Sequence, residues 1–137
     1  MGASESRVAH FFCDRNLGKR VPDALAEHGW LVERHDDHFA QDTPDDVILR
    51  AIASNDWVLL TQDRKIRTRG PERRILLDYG VKTISIASTA NLSANSTIQT
   101  LLKAKAAIFE AIAYHSAPYI VAVYKDGSLR LLELSDE

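Results

Sequence analysis

Apolar positions along this chain fall into short unbroken runs that alternate with stretches of helical spacing. Val8 to Cys13 is apolar except for His10 and is bounded by Asp-Arg-Asn. It is too short for a helix, so it predicts a strand buried on both faces. Pro22 to His28 predicts a helix with proline in its first turn and Gly29 just past its end, and Trp30 to Glu33 a short second strand. Thr43-Pro44-Asp45-Asp46 opens a helix on which Val47, Ile48, Ala51 and Ile52 share a face, with Asn55-Asp56 ending it. Trp57 to Thr61 is the next buried strand. Pro71 starts a helix through Ile75, Leu76 and Leu77 that Gly80 closes, and Val81 to Ile86 alternates like a half-buried strand. Ser93 to Tyr114 reads as one long helix with Ile98, Leu101, Leu102, Ile108, Phe109 and Ile112 on one stripe. Tyr119 to Tyr124 and Ser128 to Leu134 flank Lys-Asp-Gly, a hairpin signal.

Strands alternating with helices imply right-handed βαβ units around a mostly parallel sheet. The expected fold is therefore an α/β class, three-layer α/β/α sandwich with a C-terminal β-hairpin as its antiparallel edge. At 137 residues the chain has the size of one domain, and residues 1–137 are expected to form it. No apolar run approaches the roughly eighteen residues of a membrane span, and the N-terminus is polar, so a soluble, cytoplasmic protein is expected. Cys13 is the only cysteine, which excludes an intrachain disulfide, and its place in an apolar run makes it a packing residue rather than a nucleophile.

Charge changes the picture more than composition does. The net charge of −2 conceals a basic stretch, Arg64, Lys65, Arg67, Arg69, Arg73 and Arg74 against Glu72 alone. Residues 33 to 46 carry Glu33, Asp36, Asp37, Asp42, Asp45 and Asp46 against one arginine. A basic arm facing an acidic pocket is a polarised surface.

Ligand sites in open α/β sheets lie beyond the carboxyl ends of the strands. Asp14 follows the first strand, Asp63 follows the third, and Asp45 stands in the first turn of the helix leading into that third strand. Three acids therefore converge on one edge. Each also has a structural reading: Asp14 and Asp63 as turn residues or helix caps, Asp45 as a complement to the helix dipole. Asp46 fits a capping box with Thr43, three residues earlier. Two carboxylates about 5 Å apart repel by roughly 3 kcal/mol at an effective dielectric near 20, a cost that a hard divalent cation removes. An all-carboxylate pocket without cysteine suits Mg²⁺ or Mn²⁺ over zinc, and such an ion can activate water against a phosphodiester. Arg15, Lys19 and Arg20 flank the first acid and the basic stretch flanks the third, where guanidinium forks could hold phosphates.

These residues resemble a family. Phe12-Cys13-Asp14-Arg15-Asn16-Leu17, Thr43-Pro44-Asp45-Asp46-Val47-Ile48 and Val58-Leu59-Leu60-Thr61-Gln62-Asp63-Arg64-Lys65-Ile66-Arg67 look like the acidic motifs of PIN-like domains, in particular the branch with ribonuclease toxins of toxin–antitoxin pairs. The resemblance covers roughly residues 8 to 88, and Thr-x-Asp after a buried strand is its most specific part. It implies Asp14, Asp45 and Asp63 as metal-binding, catalytic acids, with Thr61, Asn16 and Asp46 in support. It implies Arg15, Arg64, Lys65, Arg67 and Arg69 as RNA contacts. The implied activity is a Mg²⁺- or Mn²⁺-dependent endoribonuclease, with a cognate antitoxin as partner and a homodimer possible. For a fourth acid, Asp78 is the nearby candidate. Two rivals stay open: a metal-free binding module on the same fold, and a phosphatase using Asp14 as nucleophile. His35-Asp36-Asp37-His38 has a metal-like look but lies in what reads as a polar loop before the Thr-Pro cap, without an accompanying cysteine, and with Asp37 near the pocket's rim. Neither a Gly-x-Gly-x-x-Gly nor a Walker lysine loop nor a Gly-x-Ser-x-Gly occurs.

Overall fold

The structure is a computed structural model that describes residues 9–62, 70–87 and 93–132. Its strands are β1 (His10–Cys13), β2 (Leu31–Arg34), β3 (Val58–Thr61), β4 (Lys82–Ile86), β5 (Tyr119–Val123) and β6 (Leu129–Leu132). They form one sheet in the order β2-β1-β3-β4-β5-β6, parallel throughout except for the antiparallel β5–β6 hairpin. The helices are α1 (Arg20–Glu27), α2 (His35–His38), α3 (Asp45–Ser54), α4 (Gly70–Tyr79), α5 (Ala94–Lys103) and α6 (Lys105–Tyr114).

Alternation of side chains along each strand divides the core in two. Phe11, Cys13, Val58, Leu60, Ile84 and Val121 face a layer in which α1 contributes Val21 and Leu25, α5 Leu101 and α6 Ile108. Phe12, Leu59 and Ile120 face the opposite layer, where α3 contributes Leu49 and Ile52 and α4 contributes Leu76. This is the α/β/α sandwich that the hydrophobic pattern predicts.

One crossover breaks the uniform handedness expected for such a sheet. The β2–β3 and β3–β4 connections advance along the sheet over the α3/α4 face, and β1–β2 steps the other way over the α1 face, so these three share a hand. The β4–β5 connection advances like β2–β3, yet its helices pack on the α1 face. It therefore has the opposite hand, against the strong preference for right-handed units. The single long helix expected over Ser93 to Tyr114 is also two helices. Ser93 caps α5 by accepting from the Ser96 amide at 3.1 Å, and the chain breaks at Ala104, a small residue buried in the core.

Two further expectations shift. The capping box is not formed: Pro44 is the N-cap residue of α3, no side chain caps it, and Asp46 instead lies 3.9 Å from Arg50. α1 starts two residues before Pro22, which is compatible because proline in a first turn forfeits only an unused amide.

Cys13 is buried as expected, and burial pushes its thiol up to about 12. A thiol must ionise to react. Native protein is therefore expected to resist alkylation at pH 8 and to react once unfolded in urea, which mass spectrometry after iodoacetamide treatment would check; rapid native labelling would contradict the burial.

Candidate functional site

The sheet order reverses direction at β1, so the carboxyl ends of β1 and β3 open the crevice at which doubly wound sheets place ligands. Register brings the two ends level: Cys13 pairs with Leu60, which sets Asp14 opposite Thr61. Both then point to the α3/α4 face, continuing the alternation of Phe12 and Leu59. The Thr61 hydroxyl donates to Asp14 Oδ2 at 2.8 Å, and Asn16 Nδ2 donates to Thr61 Oγ1 at 3.2 Å. Asn16 also takes the Gln62 side-chain amide on its backbone carbonyl at 2.6 Å, so it ties the loop after β1 to the end of β3. Asp14 is the N-cap residue of the 3₁₀ turn Arg15–Leu17 that follows, its carbonyl accepting from the Leu17 amide at 3.0 Å, but its side chain makes no cap bond there.

Asp45 and Glu72 reach the same place from two helices. Asp45 is the first residue of α3 and stands one turn before Leu49, which is buried; Glu72 stands in the first turn of α4, one turn before fully buried Leu76. Residues four apart share a helix face, so each acid is carried to the sheet's carboxyl edge by the leucine that anchors its helix. Asp14, Asp45 and Glu72 line one cavity of about 50 Å³, floored by Phe12 and Leu59. Glu72 is itself buried.

The acid that α4 contributes to the cavity is Glu72, whereas Asp78, the candidate named from the sequence, is exposed further along the helix. Six residues apart on a helix is about 240° of rotation, so Asp78 points away while Glu72 points in. Asp46 does not join the cavity. Asp63 and the expected RNA contacts Arg64, Lys65, Arg67 and Arg69 lie outside the described residues. Arg15 is at the site edge, where it donates to the Gln41 carbonyl at 3.4 Å and lies 4.0 Å from Asp36.

Among the described residues, no group of three or more His, Cys, Asp or Glu side chains is gathered closely enough to hold a metal ion. The donors around the small cavity nevertheless suit a hard cation. Mg²⁺ binds through one or two carboxylates and keeps several waters, and Asp14 and Asp45 offer oxygen ligands only, beside space for a few waters.

The His35-Asp36-Asp37-His38 segment is a one-turn helix rather than a loop. Its histidines do different work. His35 is buried against Phe12 and Phe39, with Nδ1 2.9 Å from Asp36 Oδ1. His38 Nε2 lies 2.6 Å from Glu33 Oε1, while His10 Nε2 lies 2.6 Å from Glu33 Oε2. One carboxylate therefore pins the start of β1 and the end of α2 to β2. The hydrogen bond from His38, and then that from His10, hold Glu33 below the usual carboxylate range. A lowered folded value means the stabilisation is present above the unfolded value near 4.5 and is lost as pH falls through the folded one. Urea titrations of wild type and Glu33→Gln are expected to differ above the unfolded value and to converge as pH falls through the lower folded one; a constant difference would show that Glu33 ionisation contributes nothing.

The described residues thus form an α/β/α sandwich that sets Asp14, Asp45 and Glu72, rather than a glycine-rich phosphate loop, around a small cavity at the carboxyl edge of a parallel sheet. The family model described as PIN like domain matches residues 9–88, more than half of the sequence, and the chain belongs to the PIN-like domain family, a nuclease-type fold. No curated protein and no solved structure matches the chain. No helix among the described residues is long and apolar enough to cross a membrane.

Proposed function

We propose that this protein is a Mg²⁺- or Mn²⁺-dependent endoribonuclease, the toxin of a toxin–antitoxin pair. The observation that carries the reading is the cavity shared by Asp14, Asp45 and Glu72 at the crevice between β1 and β3, in a chain of PIN-like family. Asp14 and Asp45, with Asp63 after β3, would hold the cation. When bound, it would supply a water of lowered pKa and a clamp on the phosphoryl oxygens.

The chain's own groups do the positioning. Thr61 fixes one oxygen of Asp14 by donating to it, and Asn16 fixes the Thr61 hydroxyl in turn, so that its proton is directed at Asp14. Metal ligands held by such outer partners keep their orientation. Arg15, with the basic residues 64–69, holds the backbone phosphates of the strand.

The test is cleavage of a labelled RNA of mixed sequence with Mn²⁺, with EDTA, and with Asp14→Asn. Cutting that needs both the metal and Asp14 is the expected result. RNA left whole by folded wild type over a range of Mn²⁺ would overturn the nuclease reading in favour of a binding module. For the toxin role, expression is expected to arrest growth, Asp14→Asn to relieve it, and a small antitoxin to co-purify.

A further inference from the structure

A second, larger cavity of about 520 Å³ opens on the other side of Asp14, between the ends of β1 and β2 and the short helix α2. Its volume lies in the range of small-ligand sites, roughly 300–1,000 Å³. Asp14 lines both cavities, so whatever fills the larger one lies directly against the acids of the smaller one.

The walls of this cavity are chemically divided. Arg15 and Lys19 follow β1, and Asp36 and Asp37 are on α2. Arg34 is committed to Asp23, to which it donates from both Nε and Nη2. Asp36 is also occupied: His35 holds one of its oxygens, and Arg15 lies 4.0 Å from the same atom. The side chains of Lys19 and Asp37, by contrast, form no hydrogen bond or close ion pair among the described residues, although Asp37 feels the charge of Arg34 and Lys19 that of Asp36. A cation on one wall and a carboxylate on the other, neither held by a hydrogen-bond partner, are therefore available to a ligand.

A phosphate cannot rest against Asp37, because like charges repel there, and must take the Arg15 and Lys19 side. A group that meets Asp37 must donate, since an ionised carboxylate only accepts. Among nucleobases, guanine alone carries two adjacent donors, N1–H and the N2 amine, on its pairing edge, matching the two oxygens of one carboxylate. Adenine and cytosine set a donor beside a ring nitrogen that would repel the second oxygen. Uracil sets its single N–H between two carbonyls.

We propose that this cavity is a guanosine-nucleotide subsite beside the cleavage site, with Asp37 reading the guanine edge and Arg15 and Lys19 holding the phosphate that joins this nucleotide to Asp14's side. The proposal rests on the ribonuclease reading for its place in a reaction, and not for binding itself.

The experiment is a metal-free titration of the full chain, in EDTA, with 5′-GMP, 5′-AMP, 5′-CMP, 5′-UMP and guanosine, followed by amide chemical shifts. GMP is expected to bind at least about tenfold more tightly than UMP, the scale of one bidentate contact, and to shift the amides of Gly18 and Asp37. Asp37→Ala, exposed and unbonded, is expected to keep the melting temperature and to bring GMP down to the affinity of UMP. Arg15→Ala is expected to weaken all four nucleotides alike and leave guanosine as it was. Four nucleotides bound within twofold of one another, or GMP affinity unmoved by Asp37→Ala, would overturn the assignment. Mapping RNA cuts with Mn²⁺ separates the two readings. Guanine-selective titration without any RNA cleavage would leave the subsite and remove the nuclease. Cleavage whose positions ignore guanine, and stay the same in Asp37→Ala, would leave the nuclease and remove the subsite.

Discussion

Mn²⁺ at about a hundred times its dissociation constant is expected to stabilise the folded chain by about 2.7 kcal/mol, because the ion binds the assembled carboxylates and not the dispersed ones. For a domain of this size that is a rise of roughly 10 °C in melting temperature. Asp14→Asn is expected to abolish the rise, since Asp14 lines the small cavity from the strand itself and its position is fixed by Thr61. Thr61→Val tests the support separately: the side chain stays the same size and stays buried, while the hydroxyl that donates to Asp14 and accepts from Asn16 is gone. Loss of such an outer partner weakens metal binding by about 10–100-fold, so the Mn²⁺ titration should shift to higher concentration without losing its full amplitude. Differential scanning fluorimetry across a Mn²⁺ series on the three proteins measures all of this. Wild type with an unchanged melting temperature at millimolar Mn²⁺ would remove the metal site.

The difference between strand acids and helix acids explains what could be read from the sequence. Asp14 was legible because a buried run ends at it, and the rule that sites follow strand carboxyl ends needs nothing more. Thr61 was legible as the last residue of such a run. Glu72 was not, because it stands amid Arg69, Arg73 and Arg74 and reads there as a lone counter-charge. The signal that would have found it was already present at Asp45. In both helices a proline is followed by an acid and, four residues on, by a leucine: Pro44, Asp45 and Leu49, then Pro71, Glu72 and Leu76. An acid one turn ahead of a buried anchor is carried to the sheet's carboxyl edge whatever its neighbours' charge, exposed in the case of Asp45 and buried in that of Glu72. The break at Ala104 was illegible for the opposite reason: neither glycine nor proline marks it, and the apolar stripe runs through it without losing phase. The hand of the β4–β5 crossover had no local signal either, since one apolar stripe running along α5 and α6 can be laid on either face of the sheet.

Asp45 and Asp46 are adjacent, alike in composition, and expected to behave in opposite ways. Asp45→Asn is expected to end RNA cleavage while leaving the metal-free melting temperature equal or higher. Asp45 shares a cavity with Asp14 and Glu72, and like charges on one cavity wall repel, so removing one charge relieves the apo site. Asp46 is turned about 100° away on the helix and does not line the cavity. Its partner Arg50 lies 3.9 Å away at i+4, an exposed pair contributing about 0.3–0.5 kcal/mol, and with no capping bond to lose, Asp46→Asn should cost no more than that. Cleavage by Asp46→Asn should remain near wild type. Glu72→Gln should follow Asp45, with cleavage lost, whereas Asp78→Asn should change neither quantity. Melting temperatures in EDTA and cleavage rates in Mn²⁺ on the four variants decide the assignment. An inactive Asp46→Asn beside an active Asp45→Asn would mean that α3 presents its second acid to the site rather than its first, and that the helix is rotated by one residue from the arrangement described.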